Sequence, residues 1–233
     1  MSQTEIKVMS SGGLRSVISA VGDAFERASG RKLAPVFAAP GQVKSRIEGG
    51  EPFDVAVLTA VLIDDLVRQS RLDGASCIPL ARSGLGLAVR AGAPKPDIST
   101  AEAFRQTLLN AKSIVCSDPK GGAASGLAFQ KIIQELGIAE AVMAKARLNV
   151  GSYNAEFVAR GEAEIAIQQI GEILPVKGAE LVGPLPPGVQ VTSVFVGAVG
   201  AASQIPEAAR ELLAFLTSPA AAPAITANGM EPG

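Results

Sequence analysis

The segment Ile6-Lys7-Val8-Met9, followed by Ser10-Ser11-Gly12-Gly13 and a helical stretch from Leu14 to Ala28, sets the architecture of the whole chain. Four strand-forming residues run into a glycine turn, and Leu14, Val17, Ile18, Val21 and Phe25 then fall on one stripe of a helix. Strand, turn and helix form the first unit of an α/β pattern that repeats downstream. Lys32 to Phe37 reads as a strand, Val43 to Ile47 as a short helix, and Phe53 to Leu58 as a buried strand entering Thr59-Ala60 and a helix from Leu62 to Ser70. A further strand covers Gly86 to Arg90.

After Ala93-Pro94-Lys95-Pro96-Asp97 a second set begins. Helices are expected over Thr100 to Asn110, Ser125 to Leu136 and Ala155 to Arg160, alternating with strands at Ser113 to Ser117, Arg147 to Val150 and Ile165 to Gln168. Gly183 to Gly188 reads as punctuation, and Val191 to Val199 as a long apolar strand. Pro206 suits the first position of a helix over Glu207 to Leu216, where its missing N–H costs nothing. A helical tail runs to Gly229-Met230-Glu231. Short apolar strands alternating with amphipathic helices specify mostly parallel sheets covered on both faces. The expected organisation is two lobes, residues 1–90 with 191–233 and residues 91–190, joined by two hinge crossings near Arg90 and Val191. A single large α/β domain is the alternative.

Composition removes several classes of function. The 233 residues carry 21 Lys+Arg against 22 Asp+Glu, a net charge of −1, which lacks the basic field that nucleic acids or membrane surfaces need. Hydrophobic residues make up 48% and charged residues 18%, enough apolar material for one or two packed cores. Aromatics are 4%, with no Trp and Tyr153 alone among tyrosines, so a stacking platform is excluded. Histidine is absent, which removes His-based triads, most zinc sites and the commonest general base. No metal or cofactor is expected. Cys77 and Cys116 are either two buried thiols or one bridge. No apolar run approaches the roughly 20 residues that span a bilayer. The first residues, Met1-Ser2-Gln3-Thr4-Glu5, have neither a basic nor an apolar leader segment. A periplasmic protein whose leader has been removed and a cytoplasmic protein both remain open, the latter including a ligand sensor without transport. A monomer is expected.

In open α/β sheets, ligands bind beyond the carboxyl ends of the strands, where helix amino termini present free N–H groups. The loops at those ends are small or amide-rich: Ser10-Ser11-Gly12-Gly13, Gly41-Gln42, Thr59, Lys120-Gly121-Gly122 with Ser125, Tyr153-Asn154 and Gln168-Gln169. Such turns let backbone donors approach an anion closely. The first is either an anion-holding turn under a helix dipole or a tight turn capped by Ser11. Lys120 is either a counter-charge or a solvated lysine. Gly121 and Gly126 have Walker A spacing, but Leu127-Ala128 occupy the Lys-Ser/Thr positions, so phosphate binding of that kind is rejected. Gly84-Leu85-Gly86 precedes a strand, which rejects a dinucleotide fingerprint. Glu162 and Glu164 read as a solvated turn, and Asp64-Asp65 as charges complementing a helix dipole.

The order of these motifs resembles the periplasmic molybdate-binding proteins, of the type II solute-binding superfamily of ABC importers. The likeness runs through Val8 to Leu14, Ile47-Glu48-Gly49-Gly50-Glu51-Pro52-Phe53-Asp54, Leu80-Ala81-Arg82-Ser83, Asp118-Pro119, Ser125-Gly126, Gly161-Glu162-Ala163 and the tail near Gly229. It implies a two-lobed cleft that closes over a small anion and a permease as partner. The three hydroxyl positions of that family fall here on Gly13, on Ala39 or Pro40, and on Gln169. The resemblance therefore implies an organic acid, a di- or tricarboxylate met by amides, hydroxyls, Arg15 and Lys120, rather than molybdate or tungstate. The superfamily also contains an enzyme branch, the aconitate isomerases, which the chain resembles. That chemistry needs a base to remove a proton next to a carboxylate and donors to hold the resulting charge. Without histidine the base is a carboxylate, Lys120 or Tyr153, and the sequence singles out no catalytic residue.

Overall fold

The computed structural model describes residues 5–121 and 123–233. The chain opens with β1 (Glu5–Ser11), a short 3-10 turn over Gly12–Leu14, α1 (Arg15–Ser29), β2 (Lys32–Ala38), α2 (Pro40–Glu48), β3 (Val55–Thr59) and α3 (Ala60–Arg68). It passes through the 13-residue strand β4 (Ile78–Arg90) into α4 (Ala101–Asn110), β5 (Ile114–Ser117), α5 (Ala124–Glu135), α6 (Ala139–Met143) and β6 (Ala146–Asn149). α7 (Ala155–Ala159), β7 (Ile165–Gln169), α8 (Ile170–Ile173) and β8 (Ala179–Pro184) follow, and the chain returns through β9 (Thr192–Val199), α9 (Pro206–Leu216), α10 (Ala222–Ala227) and β10 (Glu231–Pro232).

Contacts divide the chain into unit 1, residues 1–82 with 193–233, and unit 2, residues 83–192. In unit 1, β1 lies between β2 and β3, parallel to both, and β3 pairs antiparallel with β9. β10 pairs antiparallel with Ala81 and Arg82. Val55, Ala56, Val57 and Leu58 are all buried, because both faces of β3 are covered. Val55 and Val57 face α1 and α9 through Val17, Val21, Phe25, Leu212 and Leu216. Ala56 and Leu58 face α2 and α3 through Val43, Ile47, Ile63 and Leu66. The stripe read from Leu14 to Phe25 is therefore the inner face of α1, and Phe25 meets Phe215 edge to face at 5.4 Å. α1 ends on Gly30, whose φ of 70° is the left-handed conformation that glycine adopts at no steric cost.

In unit 2 the second half of β4 pairs antiparallel with β7 on one side and β8 on the other, while β5 runs parallel between β7 and β6. Leu87, Ile114, Cys116, Ile165 and Ile167 pack on α4 and α5, and Ala88, Val115 and Ala166 pack on α7 and Ile173. Each unit is thus a three-layer α/β assembly.

Three sequence expectations change, and the second crossing keeps its place. The first crossing falls between Arg82 and Ser83 instead of near Arg90, because residues 85–90 of β4 are held by the sheet of unit 2. The second falls at Thr192, next to the expected Val191. β8 was expected as punctuation from Gly183 onward; it is an edge strand, where Pro184 is tolerated because one side of its backbone needs no partner. Cys77 is exposed and Cys116 is buried, and both are free thiols. Burial pushes the Cys116 thiol up to about 11.

Gln190, close to the second crossing, closes the sheet of unit 2 with a side chain. Its Oε1 accepts from the Leu85 N–H at 2.9 Å and its Nε2 donates to the Leu85 carbonyl at 2.9 Å, so the amide acts as a one-residue strand. Oε1 also accepts from the Val191 N–H at 3.0 Å. A Cβ on Gly84 would lie 3.0 Å from the same amide, which explains glycine there. Gln190→Leu leaves the Leu85 and Val191 N–H groups without this acceptor and is expected to cost about 1–3 kcal/mol in denaturant unfolding. A loss below about 0.5 kcal/mol would show that water replaces the amide.

Candidate functional site

The turn after β1 is the most unusual polar feature of unit 1. Ser10 is fully buried and its hydroxyl donates to the Ser11 carbonyl at 3.1 Å. Ser11 is 3% exposed, and its hydroxyl has no hydrogen-bond partner among the described residues. It sits where a capping residue sits, yet caps nothing with its side chain. An unmade hydrogen bond at a buried hydroxyl costs about 1–3 kcal/mol, a cost a ligand oxygen removes. The helix just beyond adds to this. The first turn of α1 has no acidic residue, and it begins with Arg15, a cation at the positive end of the helix dipole. Arg15 is exposed, with its guanidinium 4.5 Å over the Phe37 ring. That charge arrangement is poor for the helix alone and favourable for an anion beside it.

The other expected residues of unit 1 stand at the same carboxyl edge. Gly12 is half-buried and Gly13 buried in the short turn. Gly41 and Gln42 lie in the first turn of α2, which starts three residues earlier than expected because Pro40 takes the first helical position. Gln42 is exposed. Thr59 is half-buried at the amino end of α3 and makes no side-chain cap.

In unit 2, Ser125, Asn154 and Gln168 are held by hydrogen bonds inside the unit. Ser125, at the start of α5, donates to the Ser117 hydroxyl at 3.1 Å. Asn154 is fully buried; its Nδ2 donates to the same hydroxyl at 3.1 Å and to the Ile167 carbonyl at 2.9 Å, while its Oδ1 accepts from Asn149 at 2.9 Å. The Ser152 hydroxyl donates to Asn149 in turn. Both protons of the Asn154 amide are committed inside the unit. Gln168, 2% exposed, is committed likewise: its Oε1 accepts from the Ala155 N–H at 3.1 Å and its Nε2 donates to Glu172 at 2.9 Å. These two residues fix the turns around them. Tyr153 is half-buried and Gln169 buried, each with a partner of its own. Lys120 is exposed, with its backbone N–H donated to Asp118 at 2.9 Å, and Gly121 is half-buried. Gly122 lies outside the described residues.

Three partners in these hydrogen bonds were missed by sequence reasoning. Ser117 and Asn149 end strands and carry no motif. Glu172 follows β7 by three residues; it is half-buried, and loss of hydration pushes its carboxyl up to about 7 although the Gln168 hydrogen bond favours the charged form. The surface carboxylates behave oppositely. Glu162, for example, is held low first by its hydrogen bond to Arg160. Among the described residues no group of three or more His, Cys, Asp and Glu side chains is placed to hold a metal ion.

Two three-layer α/β units linked by two chain crossings, with hydroxyl, amide and N–H donors at the carboxyl edges of their strands, are the features of a solute-binding protein of the type II periplasmic class. The chain belongs to the bacterial extracellular solute-binding protein family, whose pattern it matches over residues 6–231. It is 39% identical over 236 residues to aconitate isomerase of a Pseudomonas species, covering 98% of this chain and 88% of that protein. The fold is shared with the periplasmic molybdate-binding protein of Azotobacter vinelandii, at a TM-score of 0.82 and 18% identity over 97% of this chain and 98% of that one. It is shared also with the sulfate-binding protein of Mycobacterium tuberculosis, at a TM-score of 0.79 and 20% identity over 99% of this chain and 87% of that one. The resemblance seen in the sequence is thereby established at the level of family and fold. Among the described residues no helix is long and apolar enough to cross a membrane.

Proposed function

We propose that this chain is an isomerase that interconverts cis- and trans-aconitate on the scaffold of a solute-binding protein. The observation that carries this reading is the 39% identity to aconitate isomerase along almost the whole chain. The site chemistry supports it. A tricarboxylate offers many acceptor oxygens, and the orphaned Ser11 hydroxyl, the N–H groups of the Gly12-Gly13 turn and Arg15 form one set of donors for them. Gln42 and Thr59 extend that set. Lys120, the Ser125 N–H, Tyr153 and Gln169 form a second set in unit 2.

The reaction is a proton shift with no change in composition. A base takes a proton from the methylene carbon next to a carboxylate, and the charge spreads over the three carbons and their carboxylates. Returning the proton to the former vinylic carbon leaves the double bond on the other side of the skeleton. The conformation in which the single bond to the methylene carbon is held when the proton leaves decides whether the product is cis or trans.

Family membership favours one other reading, a protein that binds an organic acid outside the cytoplasm and passes it to an ABC importer without changing it. Incubation with pure trans-aconitate separates the two. The isomerase brings the mixture to equilibrium from either isomer; a binder raises the melting temperature, by mass action, and leaves the isomer ratio where it began. An unchanged ratio with a bound ligand overturns the proposal.

A further inference from the structure

We propose that Glu172 is the catalytic residue that carries the proton between the two carbons of the substrate, with Gln168 as the residue that positions it. The inference rests on the isomerase reading and adds to it the group that does the chemistry. Three observations lead to Glu172. It lies just past the carboxyl end of β7, one residue into the chain beyond Gly171, among the turns that hold the donors of unit 2. One of its oxygens, Oε2, accepts from Gln168 Nε2 at 2.9 Å, while Oε1 takes no hydrogen bond and no cation pairs with the carboxylate among the described residues. The Gln168 amide is itself anchored, since its Oε1 accepts from the Ala155 N–H at 3.1 Å, directly after Tyr153 and Asn154. One oxygen is therefore fixed in direction and the other is open.

Three other carboxylates are engaged in ion pairs or hydrogen bonds. Glu162 is paired with Arg147 and Arg160, and Glu180 with Lys95. Asp54 accepts from the Lys7 N–H and the Ser203 hydroxyl. Burial raises the Glu172 carboxyl to about 7, in the range where a carboxylate both takes and returns a proton at neutral pH. The bonds balance with this one group. The methylene C–H breaks as an O–H forms on Glu172; the O–H breaks as a C–H forms on the former vinylic carbon, and the carboxylate is regenerated without a co-reactant.

The test compares wild type, Glu172→Gln and Gln168→Leu, with trans-aconitate as the probe. Glu172→Gln keeps the shape and one oxygen to accept from Gln168, and its rate of interconversion and of deuterium uptake from heavy water falls about 10²–10⁴-fold. Its dissociation constant for trans-aconitate stays within about threefold of wild type. The wild-type rate falls as pH drops through about 7, because the base must be ionised. Gln168→Leu removes the hydrogen bond that favours the charged form, so its acid limb moves to higher pH. A role confined to folding would move no acid limb. Retention of more than about a tenth of the rate by Glu172→Gln overturns the assignment, as does a wild-type profile flat between about pH 5.5 and 8.5. Loss of binding in step with rate makes Glu172 a ligand contact and also overturns it. If wild type binds trans-aconitate and never interconverts it, the isomerase reading itself fails, an outcome distinct from an active enzyme that tolerates glutamine at position 172.

Discussion

Gly126→Ala is expected to destabilise the protein by about 3 kcal/mol or more and to abolish ligand binding, because the added methyl has nowhere to go. A Cβ at this position would stand 2.5 Å from the Ser117 carbonyl oxygen, 3.1 Å from the Ser117 carbonyl carbon and 3.0 Å from the Pro119 nitrogen, all backbone atoms. No rotamer change relieves such a contact; either the first turn of α5 lifts away from the end of β5 or the strand end shifts. Both movements pull Ser125 from the Ser117 hydroxyl that it reaches at 3.1 Å and displace the donors of unit 2. Denaturant unfolding together with a thermal shift by trans-aconitate reads the two effects. A variant that loses less than about 1 kcal/mol and still binds would show that α5 is free to slide, contrary to the close packing described.

Asn154→Leu has the second large effect. The wild-type amide makes three hydrogen bonds in a place where water does not reach, joining Ser117, Asn149 and the Ile167 carbonyl. Leucine fills a similar volume and satisfies none of them. With each buried partner left unmet costing about 1–3 kcal/mol, a total of about 3 kcal/mol is expected once the groups relax. The prediction separates scaffold from ligand contact: binding weakens in proportion to the loss of fold, and a saturating ligand restores much of the melting temperature by mass action. A stable Asn154→Leu protein that fails to bind would instead make the Asn154 amide a direct ligand contact.

The alternation of apolar strands with amphipathic helices was legible because the central strands β3, β5 and β7 are covered on both faces. Runs such as Val55 to Leu58 and Ile165 to Ile167 are therefore apolar throughout, and the periodicity switches cleanly from strand to helix. Pro206 marked the start of α9 for a local steric reason, its missing N–H, and stands in the first turn of that helix. β8 was not legible. Its residues are half-buried, its end carries a proline, and only pairing with β4 makes it a strand. The first crossing was misplaced for a related reason: nothing local distinguishes the half of β4 that serves unit 1 from the half that serves unit 2.

For the candidate site the division falls elsewhere. Residue types and loop positions were visible, since small hydroxyl and amide residues after strands are a local property of the chain. Their states were not. Asn154 and Gln168 have the composition of ligand contacts, yet three-dimensional packing commits their amides to Ser117, Ile167, Ala155 and Glu172. Ser11 has the composition of a helix cap, yet packing leaves its hydroxyl unmet.

By itself the sequence determined the class of fold, the absence of histidine chemistry, the near-neutral charge and the family resemblance, because these follow from composition, periodicity and motif order. Only the tertiary structure decided which polar groups are satisfied and which carboxylate is desolvated. Hydrogen-bond satisfaction and hydration depend on neighbours brought together from distant positions, such as Ser117 with Asn154 or Gln168 with Ala155, and no local pattern encodes them.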